Sequence, residues 1–337
     1  MRSPWCLVTK SFATLFITLV SVLFAPALWG QELNVYFKTT PRIELLRPFA
    51  DPADLTFLVT DADGRPMENA TVSVRLDAPA PGRFFSTDMP IVEGTRLNEM
   101  TLKLRQGRVS WKYLFPIRGE YKLAVDVVAA DGRKAGKTFV FEIRENESKW
   151  LALGAFSMAL FVLGFGAGRI FTRARAQVAL VVLALVIGIS ARGMTAPSPQ
   201  ANSVGKLEVE PATVGKLSRI VWRLENAGQP DPRTVLLTLT VTHLEKGKIV
   251  FAVEKLPIAG EFVTKFQFPD GAEYRVTAAS NIAGLVPVHS EQVISATGIE
   301  PPAHAAAPAL FYFIGLIAAG LGVGRWSKIR AAPLKRR

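Results

Sequence analysis

Metal, acid–base or nucleophilic chemistry in this chain would have to come from a small set of side chains. The histidines are His243, His289 and His304. None stands at a recognised metal-ligand spacing from another histidine, a cysteine or a carboxylate. Asp61 and Asp63 flank a predicted turn, where carboxylates are common for backbone reasons, and no G-x-S-x-G motif occurs. We therefore expect packing or surface histidines, no metal or cofactor and no enzyme activity, with an Asp61/Asp63 pair as the catalytic alternative.

A glycine pattern occurs twice, as GFGAGR at Gly164–Arg169 and as GLGVGR at Gly320–Arg325. Its spacing is not the G-x-G-x-x-G of a dinucleotide-binding turn, and each copy closes a long apolar run. In lipid, small residues allow two helix backbones to approach closely. The predicted helix-packing residues are Gly164, Gly168, Gly320 and Gly324. They would pack on each other or on spans of another protein, unless glycine is simply frequent in such helices.

The apolar runs predict a membrane protein. Residues 1–30 have the pattern of a secretory signal peptide, with an uncleaved anchor as the alternative. Residues 150–168, 178–196 and 305–324 are predicted transmembrane helices, because about 20 apolar residues span the hydrocarbon core. The middle run is apolar without interruption only over Val178–Ala191, so a re-entrant segment remains its alternative.

The formal net charge of +12 is confined to the ends of these segments. Residues 28–149 carry a net charge of +1 and residues 201–303 a net charge of −1, which argues against a nucleic-acid partner. The basic residues that set the predicted topology are Arg169, Arg173, Arg175, Arg325, Lys328 and Arg330. Positive residues favour the cytoplasmic side, so 169–177 form a cytoplasmic loop and 325–337 a cytoplasmic tail. The regions 31–149 and 197–304 would then lie outside a bacterial inner membrane, in the periplasm.

Three pairs of segments predict an internal duplication. WKYLFPIRGEYKLAV at Trp111–Val125 aligns without a gap against TKFQFPDGAEYRVTA at Thr264–Ala278. DADGRP at Asp61–Pro66 resembles ENAGQP at Glu225–Pro230, and the two glycine motifs keep the same order. The unit is an outer domain followed by one span, so the run at 178–196 supplies the return crossing.

Both outer regions alternate apolar and polar residues in short runs separated by turns, which predicts antiparallel strands. Strands at this spacing, with GEYKL and AEYRV late in each region, resemble bacterial immunoglobulin-like domains. The resemblance implies that Tyr121 and Tyr274 are structural, each bonding back to the backbone at a corner. The predicted fold class is therefore mainly β plus transmembrane α, with two antiparallel immunoglobulin-like sandwiches and three transmembrane helices.

The order of signal, β-domain, span pair and β-domain also resembles the β-rich subunit of membrane-bound methane and ammonia monooxygenases. That resemblance implies copper ligands at the mature N-terminus and in a His-x-His pair. Here the mature end would be Leu28 or Gln31, and no His-x-His occurs, so the likeness is one of layout only.

These patterns predict a non-catalytic envelope protein. Its spans would lie in the membrane lipid bilayer, and both its spans and its outer domains would bind membrane-protein partners, as an accessory, assembly or scaffold subunit of an inner-membrane complex. The alternative is a periplasmic ligand- or copper-binding module that delivers to a membrane partner.

Overall fold

A computed structural model describes residues 33–82, 85–170, 205–224, 235–282 and 287–331. Over these described residues the chain is mainly β, with two antiparallel sheets and two apolar helices. The predicted signal peptide at 1–30 and the predicted span at 178–196 lie outside the described residues.

The strands alternate buried and exposed side chains, as the sequence pattern predicts; β10, for example, buries every second residue. The strands before the first helix are β1 (Asn34–Thr40), β2 (Ala53–Thr60), β3 (Thr71–Asp77), β4 (Arg96–Lys103), β5 (Arg108–Tyr113), β6 (Gly119–Val128) and β7 (Lys134–Ile143), with a 3-10 turn at Ile43–Leu45. The strands after it are β8 (Gly205–Val209), β9 (Leu217–Leu224), β10 (Val235–His243), β11 (Lys248–Pro257), β12 (Glu261–Gln267), β13 (Glu273–Ile282) and β14 (Val288–Ser295).

Two seven-stranded sheets pack face to face. One has the order β1-β2-β5-β11-β10-β13-β14 and the other β7-β6-β3-β4-β12-β9-β8. Aromatic side chains cross the space between them: Phe37 of the first sheet contacts Phe139 and Phe141 of the second. Tyr113 and Phe266 make a similar contact at the centre, with ring centroids 6.3 Å apart. One continuous hydrophobic core therefore runs through both halves of the chain.

The two halves have the same strand order. We call β1–β7 with the following helix the first repeat, and β8–β14 with its following helix the second repeat. The first repeat contributes β1-β2-β5 to one sheet and β7-β6-β3-β4 to the other; the second contributes β8-β9-β12 and β14-β13-β10-β11. Advancing each strand number of the first repeat by seven reproduces the arrangement of the second.

The repeats join edge to edge in both sheets, which the sequence left open. In one sheet β5 pairs with β11, and Tyr113 lies opposite Phe251. In the other β4 pairs with β12, and Asn98 lies opposite Phe266. We call these two strand pairings the junctions. Phe251 of the β5–β11 junction lies 153 residues after Asn98 of the β4–β12 junction, and Phe266 of the β4–β12 junction lies 153 residues after Tyr113 of the β5–β11 junction. The two sheets formed by β1–β14, which we call the head, therefore have approximate twofold symmetry. The offset of 153 residues equals that of the aligned segments Trp111–Val125 and Thr264–Ala278.

Each repeat ends in a helix, α1 (Glu147–Ile170) and α2 (Ala303–Ala331). Both are long and apolar enough to cross a membrane. They include the predicted spans 150–168 and 305–324, but α2 continues past Gly324 into the basic segment. Lys328 and Arg330 lie in its last turn, where positive charge stabilises the carbonyl end of a helix.

Candidate functional site

The four predicted glycines lie at the contact between α1 and α2. A Cβ atom on Gly164 would collide with the carbonyl oxygen of Ile317, and one on Gly168 with that of Leu321. In the opposite direction, a Cβ on Gly320 would collide with the carbonyl of Phe161 and one on Gly324 with that of Phe165. The backbones therefore approach so closely that only glycine fits at these positions.

The glycine contact between α1 and α2 has the same approximate twofold symmetry as the head. Ile317 and Leu321 follow Phe161 and Phe165 by 156 residues, which is also the separation of the glycine motifs. The helices run parallel: near their start Phe156 contacts Phe313, and Ser157 lies 3.3 Å from the hydroxyl of Tyr312. The central glycines of the motifs, Gly166 and Gly322, would admit a Cβ without any contact within 4 Å.

Four of the six basic residues that are predicted to set the membrane topology belong to the described residues. Arg169 lies in the last turn of α1 with its guanidinium 5.8 Å from the ring of Phe165. Arg330 stacks over Trp326, 4.0 Å from the ring centroid, near the end of α2. Arg325 and Lys328 belong to the same end, so the cations of both helices gather where the parallel pair finishes. Arg173 and Arg175 lie outside the described residues.

Both predicted corner tyrosines are fully buried and bond to the backbone four residues earlier. The Tyr121 hydroxyl donates to the Ile117 carbonyl at 2.6 Å and accepts from the Ile117 amide at 3.2 Å. Burial raises the pKa of Tyr121 far above its usual value, so the hydroxyl remains a donor. Tyr274 makes the equivalent pair of contacts with Asp270, each at 3.4 Å. These tyrosines fasten the chain where it enters β6 and β13.

The histidines occupy three separate environments. His243 at the end of β10 is fully buried, and its Nδ1 accepts from the Lys246 amide at 3.3 Å. That bond leaves the proton on Nε2, which lies 3.2 Å from the Asp270 carboxylate. His289 is exposed on β14 and His304 is exposed at the start of α2. Among the described residues, no three side chains of the metal-ligating types come together.

Asp270 connects this buried histidine to the tyrosine corner. Partial burial alone raises the pKa of the Asp270 carboxyl, but hydrogen bonds from Lys246 and Tyr274 outweigh it, and the net shift is downward. Lys246 also lies over the ring of Phe49, 3.8 Å from its centroid, so the cluster reaches the first repeat. Because the His243 imidazole is fully buried and hydrogen-bonded within this cluster, the arrangement stabilises the fold.

A pocket that the sequence did not predict lies where the head meets the helices. Its volume is about 220 Å³, and we call it the interfacial pocket. Its charged side chains are Asp88, Arg118, Glu145 and Lys149, and Ser86 lies beside them. Its apolar side chains are Phe85, Trp150, Leu153, Ala309 and Phe313. The charged run at 144–149, at the start of α1, is the signal of this pocket in the sequence.

The polar wall of the interfacial pocket is a chain of ion pairs. Arg118 donates to the nearly buried carboxylate of Glu145 at 2.8 Å, and its guanidinium lies 5.3 Å from the centre of the Trp150 ring. Lys149 pairs with Asp88 and lies 3.5 Å from Glu145. Two cations and two carboxylates thus meet at the first turn of α1.

Residues 85–88 of the segment between β3 and β4 line one side of the interfacial pocket. In this segment Phe85 packs edge-on against Tyr312 of α2, with ring centroids 5.5 Å apart. Further along, Val92 is fully buried, and Thr95 donates to Gln267 of the second repeat at 2.9 Å. In the second repeat only residues 244–247 separate the corresponding strands β10 and β11. This segment is therefore the main departure from twofold symmetry.

No protein-family model matches the chain, and no curated protein matches it. Among solved structures, it is similar to a tetra-tandem repeat from the extending region of a large adhesion protein, with 12% identity and a TM-score of 0.23, over 79% of this chain and 49% of that one. It is also similar to the Escherichia coli adhesin FdeC, with 10% identity and a TM-score of 0.21, over 81% of this chain and 66% of that one.

A third similar structure is the Yersinia pseudotuberculosis adhesin InvE, with 10% identity and a TM-score of 0.22, over 79% of this chain and 60% of that one. The chain spans between about half and two thirds of the length of these three structures. TM-scores this low carry no argument about function. Over the part of the chain that the structure describes, strand order and register define a two-sheet β protein with two apolar helices.

Proposed function

We propose that the chain is a non-catalytic scaffold of a bacterial inner membrane, an accessory or assembly subunit that holds two immunoglobulin-like repeats, fused into one two-sheet head, in the periplasm. The observation that carries the proposal is the shared twofold symmetry of head and helices. The same internal repeat relates the two sheet junctions to each other and relates the two sides of the glycine contact to each other. A head fused through two sheets and seated on a tightly packed helix pair is suited to presenting surfaces at a fixed position.

Several features support a membrane setting. Large apolar side chains of α1 and α2, such as Leu151, Leu163 and Phe311, are exposed, as expected of surfaces that face lipid. Trp150 lies at the start of α1 and Trp326 near the end of α2, the levels at which tryptophan is enriched in membrane proteins. The basic ends of the helices favour a cytoplasmic location, which puts the head on the opposite side.

Cysteine labelling tests the topology. In a Cys6→Ser background, Asp63→Cys places a thiol on an exposed turn of the head, and Ser327→Cys places one near the end of α2. With spheroplasts and a membrane-impermeant maleimide, we expect the thiol at position 63 to be labelled at once. The thiol at position 327 should be labelled only after lysis. Equal labelling of both positions before lysis would contradict the proposed topology.

Purification from the native membrane tests the scaffold role. The tagged full chain, solubilised in mild detergent, should elute from a sizing column together with other membrane proteins at a constant molar ratio, read by quantitative mass spectrometry. A chain that elutes alone, or with partners whose ratio changes with every preparation, would rule out a stoichiometric subunit.

A further inference from the structure

The second repeat shows which residues of the first repeat the fold does not need. At the sequence offsets of 153 for the head and 156 for the helices, Arg118 corresponds to Gly271. Lys149 and Trp150 likewise correspond to Ala305 and Ala306. The second repeat forms the same corner and the same helix start without a cation or an indole. The charges and the ring of the interfacial pocket are therefore additions to the common fold.

The interfacial pocket is amphipathic and small. Its apolar wall, which includes Leu153 and Phe313, is continuous with the exposed sides of the helices. At about 220 Å³ it lies below the roughly 300–1,000 Å³ typical of pockets for drug-sized ligands. It also opens beside a larger cleft of about 1150 Å³ that shares Arg118 and Trp150. Such a site suits a small polar group whose apolar remainder lies along the helices.

The charges of the interfacial pocket decide the class of ligand. Arg118 and Lys149 offer donors to a phosphate, whereas Asp88 and Glu145 offer acceptors to an ammonium group. The four charges sum to zero, so an anion alone would leave an uncompensated negative charge in a partly buried place. A group that carries both a phosphate and an ammonium leaves the site neutral.

We propose that the interfacial pocket binds a zwitterionic phospholipid with a phosphoethanolamine headgroup. The phosphate contacts Lys149 and Arg118, the ammonium replaces Lys149 as the partner of Asp88, and an acyl chain lies against Leu153 and Phe313. This inference rests on the proposed function in one respect, since α1 and α2 must lie in a bilayer for the lipid to reach the pocket.

Native mass spectrometry of the full chain from mild detergent tests the proposal. The probes are dioleoylphosphatidylethanolamine, dioleoylphosphatidylglycerol and free phosphoethanolamine. The wild type should bind the ethanolamine lipid in preference to the glycerol lipid, and free phosphoethanolamine much more weakly than either. Lys149→Gln should weaken ethanolamine-lipid binding at least about tenfold, the loss expected of one charge-assisted hydrogen bond.

Asp88→Asn separates recognition from a structural role. The Asp88 side chain is 62% exposed, so its loss leaves the core intact. We expect this variant to lose the preference for the ethanolamine lipid and to bind the glycerol lipid at least as well. Asp126→Asn is the matched control, because Asp126 is a similarly exposed acid paired with Arg75 on the head, away from the pocket. It should bind as the wild type does.

Three results would overturn the inference. They are equal binding of both lipids by the wild type, binding of free phosphoethanolamine as tight as that of the lipid, and unchanged preference in Asp88→Asn. The maleimide labelling described above reads membrane topology without involving these side chains. If the labelling contradicts the proposed topology while the lipid preference is intact, the membrane scaffold is rejected. If the labelling agrees with the topology but the lipid preference is absent, only the lipid site is rejected.

Discussion

At the residue scale, single buried polar groups fasten the corners of both repeats. The tyrosines do so in slightly different ways. Tyr121 bonds only to the backbone of Ile117, whereas Tyr274 also bonds to the side chain of Asp270. The first corner is therefore independent of pH in the acid range, while the second contains a carboxylate with a lowered pKa. Substitutions at the two corners should have distinct consequences.

Tyr121→Phe should destabilise the protein. The change removes a buried hydroxyl and leaves the amide and carbonyl of Ile117 without that partner, which costs about 1–3 kcal/mol of unfolding free energy. Thermal unfolding of the full chain, followed by circular dichroism, measures the effect. Tyr36→Phe is the control, because the Tyr36 side chain lies exposed on β1. Equal midpoints for the two variants would show that the corner bond contributes nothing.

Lowering the pH should reduce the unfolding free energy of the wild-type protein more than that of the Asp270→Asn variant. The pKa of Asp270 is lower in the folded protein than the usual value of about 3.9, so the folded state binds fewer protons than the unfolded state. The stability from this carboxylate is complete above about pH 4 and is lost as the pH falls through its lowered pKa.

Denaturant unfolding between pH 6 and pH 3 measures this difference as the slope of stability against pH. The exposed turn variant Asp63→Asn is the control and should keep the wild-type slope. An Asp270→Asn slope as steep as that of the wild type would refute the assignment.

At the scale of elements, the glycine contact is the most constrained feature of the helices. It differs from ordinary side-chain packing because backbone atoms of one helix occupy the space that a Cβ of the other would need. The spacing of the glycines in the sequence predicted a packing face but left two partners open, the other helix or another protein. In the structure α1 and α2 use these faces on each other.

Gly164→Ala should destabilise the helix pair, whereas Gly166→Ala should not. The first Cβ collides with the Ile317 carbonyl, and overpacking of this kind costs about 1–3 kcal/mol. The second Cβ meets nothing within 4 Å, and alanine favours a helix over glycine. Midpoints of thermal unfolding in mild detergent compare the two variants directly. A similar loss in both would mean that the close contact is not what limits stability.

At the scale of the whole molecule, both sheets pass from one repeat into the other without a break. The junction strands carry ion pairs across the boundary, Lys112 with Glu254 and Lys265 with Glu99. These exposed pairs contribute little, because solvent screens them. The buried aromatic side chains of the junction, such as Tyr113, Phe251 and Phe266, contribute far more. The two repeats should consequently unfold together.

Phe57→Ala tests this coupling. Phe57 is fully buried in β2 of the first repeat, and its truncation should cost about 3–5 kcal/mol. Hydrogen exchange read by mass spectrometry should show lower protection in β9 and β13 of the second repeat as well as in β2. The exposed variant Leu58→Ala is the neighbouring control, since Leu58 points outward. Loss of protection confined to the first repeat would show that the repeats are separate folding units.

The sequence alone determined the features that depend on local pattern. Alternation specified strands, uncharged apolar runs specified α1 and α2, and the spacing of Gly164 and Gly168 specified a small helix face. The recurrence of Tyr121 at Tyr274 indicated two equivalent corners. The strands, helices and helix face follow from residues close together in the chain, where the helical or strand period decides which side chains share a face. The equivalent corners follow from comparing the two repeats.

Only the tertiary structure decided which edges of the repeats meet. Every strand offers the same backbone groups along its edge, so nothing in β5 or β11 taken alone specifies their pairing or register. The same holds for the interfacial pocket. Its residues Phe85, Arg118 and Phe313 are far apart in the chain and meet only because the head and both helices pack at one level. Long-range packing placed them together, and no local period encodes it.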